Sequence, residues 1–141
     1  MKKVSGKILT AVLFVLVVLL LAGCGAASYE MTDGPNKTTI KVKADDGKYG
    51  EGFVMDLSKN EIITIDSQLE SGELQIDFME VINTADPDEP DDWEAISTLK
   101  SVNVKPGDQL EFALDYSGDF MPTLTAVGQT NGTVIISTVK K

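Results

Sequence analysis

Residues 61–81 read EIITIDSQLESGELQIDFMEV, and this stretch decides the fold. Apolar side chains occupy alternate positions on both sides of Ser71-Gly72; they are Ile63, Ile65, Leu69, Leu74, Ile76 and Phe78. Polar side chains fill most of the positions between them, a period of two that indicates β-strands with one buried and one solvated face. Ser71-Gly72 is a turn signal between two such runs. The sequence therefore predicts a β-hairpin with strands at 61–69 and 73–81.

Similar alternation recurs along the rest of the chain, interrupted by turn signals at a spacing of roughly eight to twelve residues. Those signals are Asp46-Gly47, Lys59-Asn60, Pro106-Gly107, Ser117-Gly118 and Asn131-Gly132. Asn131-Gly132 is a dipeptide that strongly favours a two-residue hairpin turn. No helical period is sustained after Thr38. We expect residues 38–141 to form an all-β domain, an antiparallel β-sandwich of about eight strands that is immunoglobulin-like or jelly-roll-like.

The N-terminus has a different pattern. Lys2, Lys3 and Lys7 precede an uncharged apolar run, residues 8–21, that leads into Gly23 and Cys24. A basic segment, an apolar segment and small residues before a cleavage point are typical of a secretory signal peptide. The uncharged run is shorter than the roughly 20 residues of a transmembrane helix. Cleavage is therefore the favoured interpretation, and an uncleaved signal anchor is the alternative.

The sequence Leu21-Ala22-Gly23-Cys24 resembles the lipobox of bacterial lipoproteins. This resemblance implies that the chain is cut between Gly23 and Cys24, and that Cys24 carries a diacylglycerol thioether. It also implies a location, the extracytoplasmic face of the cell membrane, where the lipid on Cys24 is the anchor. A short exported β-domain behind a lipobox is similar to the small lipoproteins of Gram-positive bacteria.

Three segments follow from this interpretation. Residues 1–23 are the signal peptide, expected to be helical, and residues 38–141 are the β-sandwich. Residues 24–37 between them are small and polar and contain Gly34-Pro35, a composition that favours a flexible tether.

The composition excludes several classes of partner and chemistry. The full chain carries 12 lysines and no arginine against 22 acidic residues, for a net charge of −10. Nucleic acid and anionic lipid surfaces are poor partners for such a chain, because both are bound through basic residues. Cys24 is the single cysteine, so no internal disulfide can form. The chain has no histidine, and most nucleophilic triads and zinc sites depend on that residue.

Candidate ligand-binding residues lie in the acidic loop at residues 83–92 and directly after it. Asp86, Asp88, Asp91 and Asp92 offer the carboxylate oxygens that Ca²⁺ prefers, although their spacing departs from that of an EF-hand. A solvated acidic loop that binds no metal is the simpler interpretation, and no cofactor is expected beyond a weak Ca²⁺ site. Trp93, the single tryptophan, either stacks on a sugar or partner side chain or covers the edge of the core. Tyr49 has the pattern of an ordinary surface aromatic near a turn.

These observations predict a non-enzymatic binding or interaction module of the cell envelope. Its partner is the membrane through Cys24, together with an envelope protein or polysaccharide. Two alternatives stay open: a carbohydrate-binding β-sandwich that uses an exposed sheet face or the loops near Trp93, and a purely structural envelope lipoprotein.

Overall fold

The computed structural model describes residues 27–34, 36–84, 88 and 92–141, and the regular structure in those residues is entirely β-strand. The strands pair antiparallel throughout. The described residues contain no helix long and apolar enough to cross a membrane. The strands are β1 (Ser28–Gly34), β2 (Lys37–Ala44), β3 (Tyr49–Glu51), β4 (Met55–Leu57), β5 (Glu61–Asn83), β6 (Trp93–Val104), β7 (Gln109–Phe112) and β8 (Gly118–Lys140).

Two long strands, β5 and β8, form the centre of the fold. Each is 23 residues long, and they pair with each other from Glu61 opposite Lys140 to Glu80 opposite Phe120. The predicted hairpin at Ser71-Gly72 is therefore wrong, because both halves of that stretch belong to β5. Asn131-Gly132 is likewise not a hairpin turn, because it lies within β8.

The two misassigned turn signals meet each other in the ladder. Ser71 lies opposite Asn131, and the register shifts on both sides of Ser71. Gly72 and Gly132 have φ values of 72° and 136°, backbone conformations that favour glycine. Irregular pairing and positive-φ glycines allow a strand to bend out of the sheet plane. We call residues 69–73 of β5 and 127–132 of β8 the fold corner.

At the fold corner the β5–β8 ribbon folds over itself, which gives the sheet two layers. The first layer has the order β1-β2-β8-β5-β7 and uses the C-terminal half of β8 with the N-terminal half of β5. The second layer contains β6, the other halves of β5 and β8, and the short strands β3 and β4. Phe78 of the second layer meets Phe112 of the first with 5.5 Å between ring centroids. The prediction of an eight-stranded antiparallel sandwich is thus confirmed.

The core lies between these layers and is apolar. Its largest fully buried side chains are Phe78, Phe120, Ile40, Leu57, Ile63, Ile65, Leu74, Ile76, Leu124, Ile136, Val104 and Val134. Each contributes roughly 1.5–3 kcal/mol by leaving water. The alternate positions that the sequence assigned to the buried face in residues 61–81 are all within this core. Period-two patterning therefore identified the buried face of β5 correctly, although it missed the path of the strand.

The sheet begins earlier in the chain than the sequence predicted. Residues 28–34, expected to be part of the tether, form edge strand β1, which pairs with β2 along its whole length. The Tyr29 hydroxyl donates a hydrogen bond of 2.7 Å to the carbonyl oxygen of Lys48. Its ring lies so close to Gly50 that a Cβ there would be 2.7 Å from a ring carbon. The expected signal helix at residues 1–23 and the first tether residues, 24–26, are outside the described residues.

Candidate binding face

The predicted acidic loop is described only in part. Asp88 and Asp92 are exposed, while Asp86 and Asp91 fall outside the described residues. The two ends of the loop are joined where it leaves and re-enters the sheet: the backbone N–H of Thr84 donates a 2.9 Å hydrogen bond to the carbonyl oxygen of Asp92. Within the described part of the chain no three acidic side chains are grouped so that they could hold a metal ion. Ca²⁺ binding by this loop stays a prediction, because Asp86 and Asp91 lie outside the described residues, and so does lipidation of Cys24 after cleavage at Gly23.

Trp93 lies at the start of β6, half-buried and opposite Asn83. Here the β5–β6 pair extends beyond the last residues that β5 pairs with β8. We call residues 81–83 and 93–96 the hairpin arm. Its Ile82 and Ile96 side chains are 46% and 53% exposed. The structure therefore places Trp93 in a projecting hairpin with exposed apolar neighbours.

A second candidate surface lies on the outside of the second layer, and the sequence did not identify it. The outward positions of β3, β5, β6 and β8 carry polar side chains around one exposed aromatic ring. We call this surface the polar face; it comprises Tyr49, Glu51, Gln75, Asp77, Ser101 and Thr123.

The strand register builds the polar face from four strands. Asp77 of β5 lies opposite Ser101 of β6 on one side and Thr123 of β8 on the other. Thr123 in turn lies opposite Glu51 of β3. Because residues opposite each other in a ladder share a face, these side chains form one row across the sheet. Tyr49 belongs to the adjacent row, opposite Thr125.

Asp77 is the centre of a hydrogen-bond network on this face. Its carboxylate accepts a hydrogen bond from the Ser101 hydroxyl and another, 3.3 Å long, from the Gln75 amide. The Thr123 hydroxyl donates at 3.3 Å to the backbone carbonyl of Asp77. Such bonds hold the Asp77 carboxylate and the Gln75 amide in fixed orientations. Each group keeps acceptor or donor capacity for a ligand, since a carboxylate offers about four lone-pair sites and an amide nitrogen offers two hydrogens.

Tyr49 is the aromatic member of the polar face and is 56% exposed. Its hydroxyl donates a 3.2 Å hydrogen bond to the Glu51 carboxylate, which steadies the ring beside the Asp77 row. Partial burial, with the negative charges of Glu51 and Asp77, raises the pKa of the Tyr49 phenol above its ordinary value. The phenol is therefore neutral at physiological pH and acts as a hydrogen-bonding group with a flat apolar ring.

The spacing of the row sets what the polar face can accommodate. Glu51 and Asp77 lie on strands on either side of β8, so their Cα atoms are roughly 9.5 Å apart, two strand spacings. Thr123, a small side chain, forms the floor between them. An exposed ring beside fixed carboxylate, amide and hydroxyl groups can stack on an apolar ligand surface and hydrogen-bond its polar edge.

The outer face of the first layer differs in charge. Lys37, Lys41 and Lys43 occupy outward positions along β2, next to hydroxyl side chains of β8 such as Thr133, which lies opposite Lys41. Glu30 of β1 lies opposite Lys41 on the other side. Lysine side chains thus characterise this surface, whereas the charged side chains of the polar face are acidic.

The sequence could have indicated part of the polar face. Alternation along 73–81 predicted that Gln75 and Asp77 face outward, and the structure agrees. Tyr49 was interpreted as an ordinary surface aromatic because nothing in its local sequence shows that β3 lies across β8 from Asp77. That neighbourhood arises from pairing between residues far apart in the chain.

Comparison with known proteins gives little similarity. No family model and no curated protein sequence matches the chain. A solved structure described as "CBM4 structure and function" is 14% identical, with 81% of this chain and 75% of that chain covered and a TM-score of 0.35. The Drosophila melanogaster CENP-C cumin domain is 8% identical, with 84% and 80% covered and a TM-score of 0.33. Structural similarity this weak gives no information about the function of this chain.

Proposed function

We propose that this protein is a lipid-anchored, non-enzymatic binding module on the extracytoplasmic side of the cell membrane. The basic N-terminus, the apolar run and the sequence Leu21-Ala22-Gly23-Cys24 support the anchor. The folded domain behind it is a β-sandwich whose exposed faces carry fixed polar side chains. Such a module brings a ligand or partner to the membrane surface without changing it chemically.

We further propose that the ligand is a neutral carbohydrate that binds to the polar face. The observation that carries this proposal is Tyr49, an exposed ring next to the hydrogen-bonded Gln75–Asp77 pair. Sugars present an apolar ring surface that stacks on aromatic side chains and a polar edge that suits planar carboxylates and amides. Glu51 and Asp77 repel anionic polymers, which favours neutral glycans.

Catalysis is not part of the proposal. The chain lacks histidine, and the polar face lies on the outside of a sheet, where water reaches its carboxylates. A glycoside hydrolase needs one carboxyl group held protonated in a shielded site. The arrangement around Asp77 is better suited to recognition.

Mass spectrometry of the mature protein tests the anchor. We expect an N-terminus at Cys24 that carries a diacylglycerol thioether, and the Cys24→Ser variant should be neither lipidated nor processed. An intact Met1 or an unmodified thiol at Cys24 contradicts the anchor and leaves carbohydrate binding as a separate question.

Affinity electrophoresis of the 25–141 fragment in gels with neutral polysaccharides tests the ligand. Tyr49→Ala should weaken binding about tenfold, which corresponds to about 1.4 kcal/mol, because the stacking surface is lost. Gln75→Ala should weaken it less. Lys41→Ala, on the outer face of the first layer, is the matched control and should bind like the wild type. Unchanged retardation of Tyr49→Ala, or no retardation in any neutral polysaccharide, rules out this ligand class.

A further inference from the structure

We propose that the anchor holds the domain in one orientation, with the fold corner against the lipid headgroups and the hairpin arm pointing away from the membrane. This inference rests on the lipid at Cys24 in the proposed function. It adds an interaction surface, the fold-corner end of the sandwich, and its partner, the headgroup layer of the same bilayer.

Ser28 lies at the same end of the sandwich as the fold corner. Ser28 lies opposite Lys43 at the start of β1, and Lys43 lies opposite Asn131 of the fold corner. Asn131 lies opposite Ser71. The first residue of β1 therefore belongs to the same row of the sheet as the fold corner. The turn between β2 and β3 lies at this end too, because the Asp46 carboxylate accepts a 2.7 Å hydrogen bond from the backbone N–H of Gly128.

β1 is attached to the rest of the sandwich from its first residue. Tyr29 fastens this end of β1 to the second layer through its 2.7 Å hydrogen bond to the Lys48 carbonyl and its ring contact with Gly50. Backbone pairing with β2 extends to Ser28 itself. The chain is thus held from Ser28 onward, and only residues 25–27 separate it from Cys24.

The stretch of chain between Cys24 and Ser28 is short. Four residue steps separate Cys24 from Ser28, and an extended chain spans at most about 3.6 Å per step, so the two Cα atoms are within about 14 Å. Cys24 lies at the membrane surface if its acyl chains are inserted. Ser28, and with it the fold corner, must then lie close to the headgroups.

The hairpin arm lies at the end of the sandwich opposite the fold corner. β6 begins at Trp93 and ends at Val104, which lies opposite Leu74 just after the fold corner. Eleven residue steps of about 3.3 Å place Trp93 up to about 36 Å from that end. The hairpin arm is therefore the part of the domain presented outward, and the polar face lies on its side, open to ligands in the envelope.

Charge does not create this orientation. The fold corner and its surroundings carry Glu70, Glu73 and Asp46 as well as Lys43, so anionic headgroups exert no net attraction on it. The short connection imposes the orientation, and a longer connection should abolish it. This consequence makes the inference testable with the lipidated full-length protein.

The experiment compares spin labels at two exposed positions of the full-length lipoprotein in phosphatidylcholine vesicles. Gln129→Cys labels the fold corner, and Ile96→Cys labels the hairpin arm; Cys24 is blocked as a thioether. A paramagnetic metal chelated to lipid headgroups should relax the label at residue 129 several-fold more than the label at residue 96. Equal relaxation, or stronger relaxation at residue 96, overturns the inference.

A spacer variant supplies the matched control. A Gly-Ser insertion of about 20 residues between Ala27 and Ser28 should leave vesicle binding intact and remove the difference between the two labels, because a flexible linker of that length spans roughly 25 Å. A difference that persists in this variant also overturns the inference. Failure of the wild type to float with vesicles contradicts the lipid anchor itself, whereas flotation with equal labels contradicts only the orientation.

Discussion

The fold corner and the hairpin arm are two departures from regular pairing within β5, and they have opposite physical characters. At the corner, glycine backbones pack against neighbouring backbone. A Cβ on Gly132 would lie 2.5 Å from the Leu69 Cα. Just before the arm, the ladder with β6 shifts register after Phe78 and after Glu80, and in the arm the side chains of Ile82 and Ile96 are about half exposed.

This difference separates the part of β5 that holds the layers together from the part that is free to contact a partner. At the corner, Gly72 and Gly132 leave no room for a Cβ atom, because Gln129 and Thr130 lie against the first and Gln68 and Leu69 lie against the second. Apart from the buried Val81, the arm side chains are exposed or half-buried and can change without disturbing the contact of Phe78 with Phe112. Stability should therefore be sensitive to substitution of these two glycines and nearly indifferent to substitution of the exposed arm side chains.

The largest expected effect is that of Gly132→Ala. Its Cβ would overlap backbone atoms of Leu69 and Gln68, and its φ of 136° disfavours any L-residue. We expect a loss of at least about 4 kcal/mol in the free energy of unfolding, measured by urea denaturation. Gly107→Ala is the control, because Gly107 also has a positive φ but no atom within 4 Å of its Cβ position. It should lose only about 1–2 kcal/mol. Equal losses in the two variants would show that the close backbone contacts at Gly132 add nothing to the cost of its positive φ.

A smaller effect is expected from alkaline pH at the fold-corner end. Burial raises the pKa of the Tyr29 phenol above its ordinary value. The folded state then holds this proton more tightly than the unfolded state does. The contribution of Tyr29 to stability is therefore constant below about pH 10, the pKa of an unfolded tyrosine. It is lost as the pH rises from there through the raised pKa of the folded state. Urea midpoints between pH 8 and 11 should show this fall.

Tyr29→Phe is the variant that assigns the alkaline fall to the corner end. It should reduce the fall relative to wild type, while Tyr116→Phe, near the arm end, gives a second comparison. Burial also raises the pKa of the Tyr116 phenol, and the negative charges of Glu80 and Asp119 raise it further. An alkaline fall that is unchanged in Tyr29→Phe would show that the Tyr29 phenol is not responsible.

The smallest effect is expected at the arm. Ile96→Ser and Ile82→Ser replace exposed apolar side chains and should change the free energy of unfolding by no more than about 0.5 kcal/mol. Thermal denaturation of each variant alongside Ile76→Ser, at a fully buried position on the same strand as Ile82, sharpens the contrast. A loss at residue 96 comparable to that at residue 76 would mean that the arm is part of the core.

The local sequence pattern predicted some turns of the fold correctly and others wrongly. The turns at Asp46-Gly47 and Pro106-Gly107 are turns in the structure, with positive φ at both glycines. Ser71-Gly72 carries a similar signal and bends a strand instead. A positive-φ glycine serves a two-residue turn and an out-of-plane bend equally well, so the dipeptide does not distinguish them. β1 was missed because an edge strand needs only one face of apolar side chains, here Tyr29 and Met31.

The candidate sites divide in the same way. The outward positions of Gln75 and Asp77 could be predicted from alternation alone. The proximity of Tyr49 to Asp77 could not be predicted, because it arises only when β3 and β5 pair with opposite sides of β8. Both residues are distant from β8 in sequence. Trp93 was identified by type, but its half-buried position in a projecting arm depends on where β8 stops pairing with β5.

By itself the sequence determined the all-β class, the side chains that enter the core and the resemblance of its first residues to a lipoprotein signal. Those features depend on residues close together in the chain, where alternation and composition act directly. Only the tertiary structure decided that β5 and β8 pass through their glycines unbroken, and which outward side chains share a face. Both depend on backbone pairing between segments some 60 residues apart, as between Ser71 and Asn131, and local sequence does not encode the choice of partner.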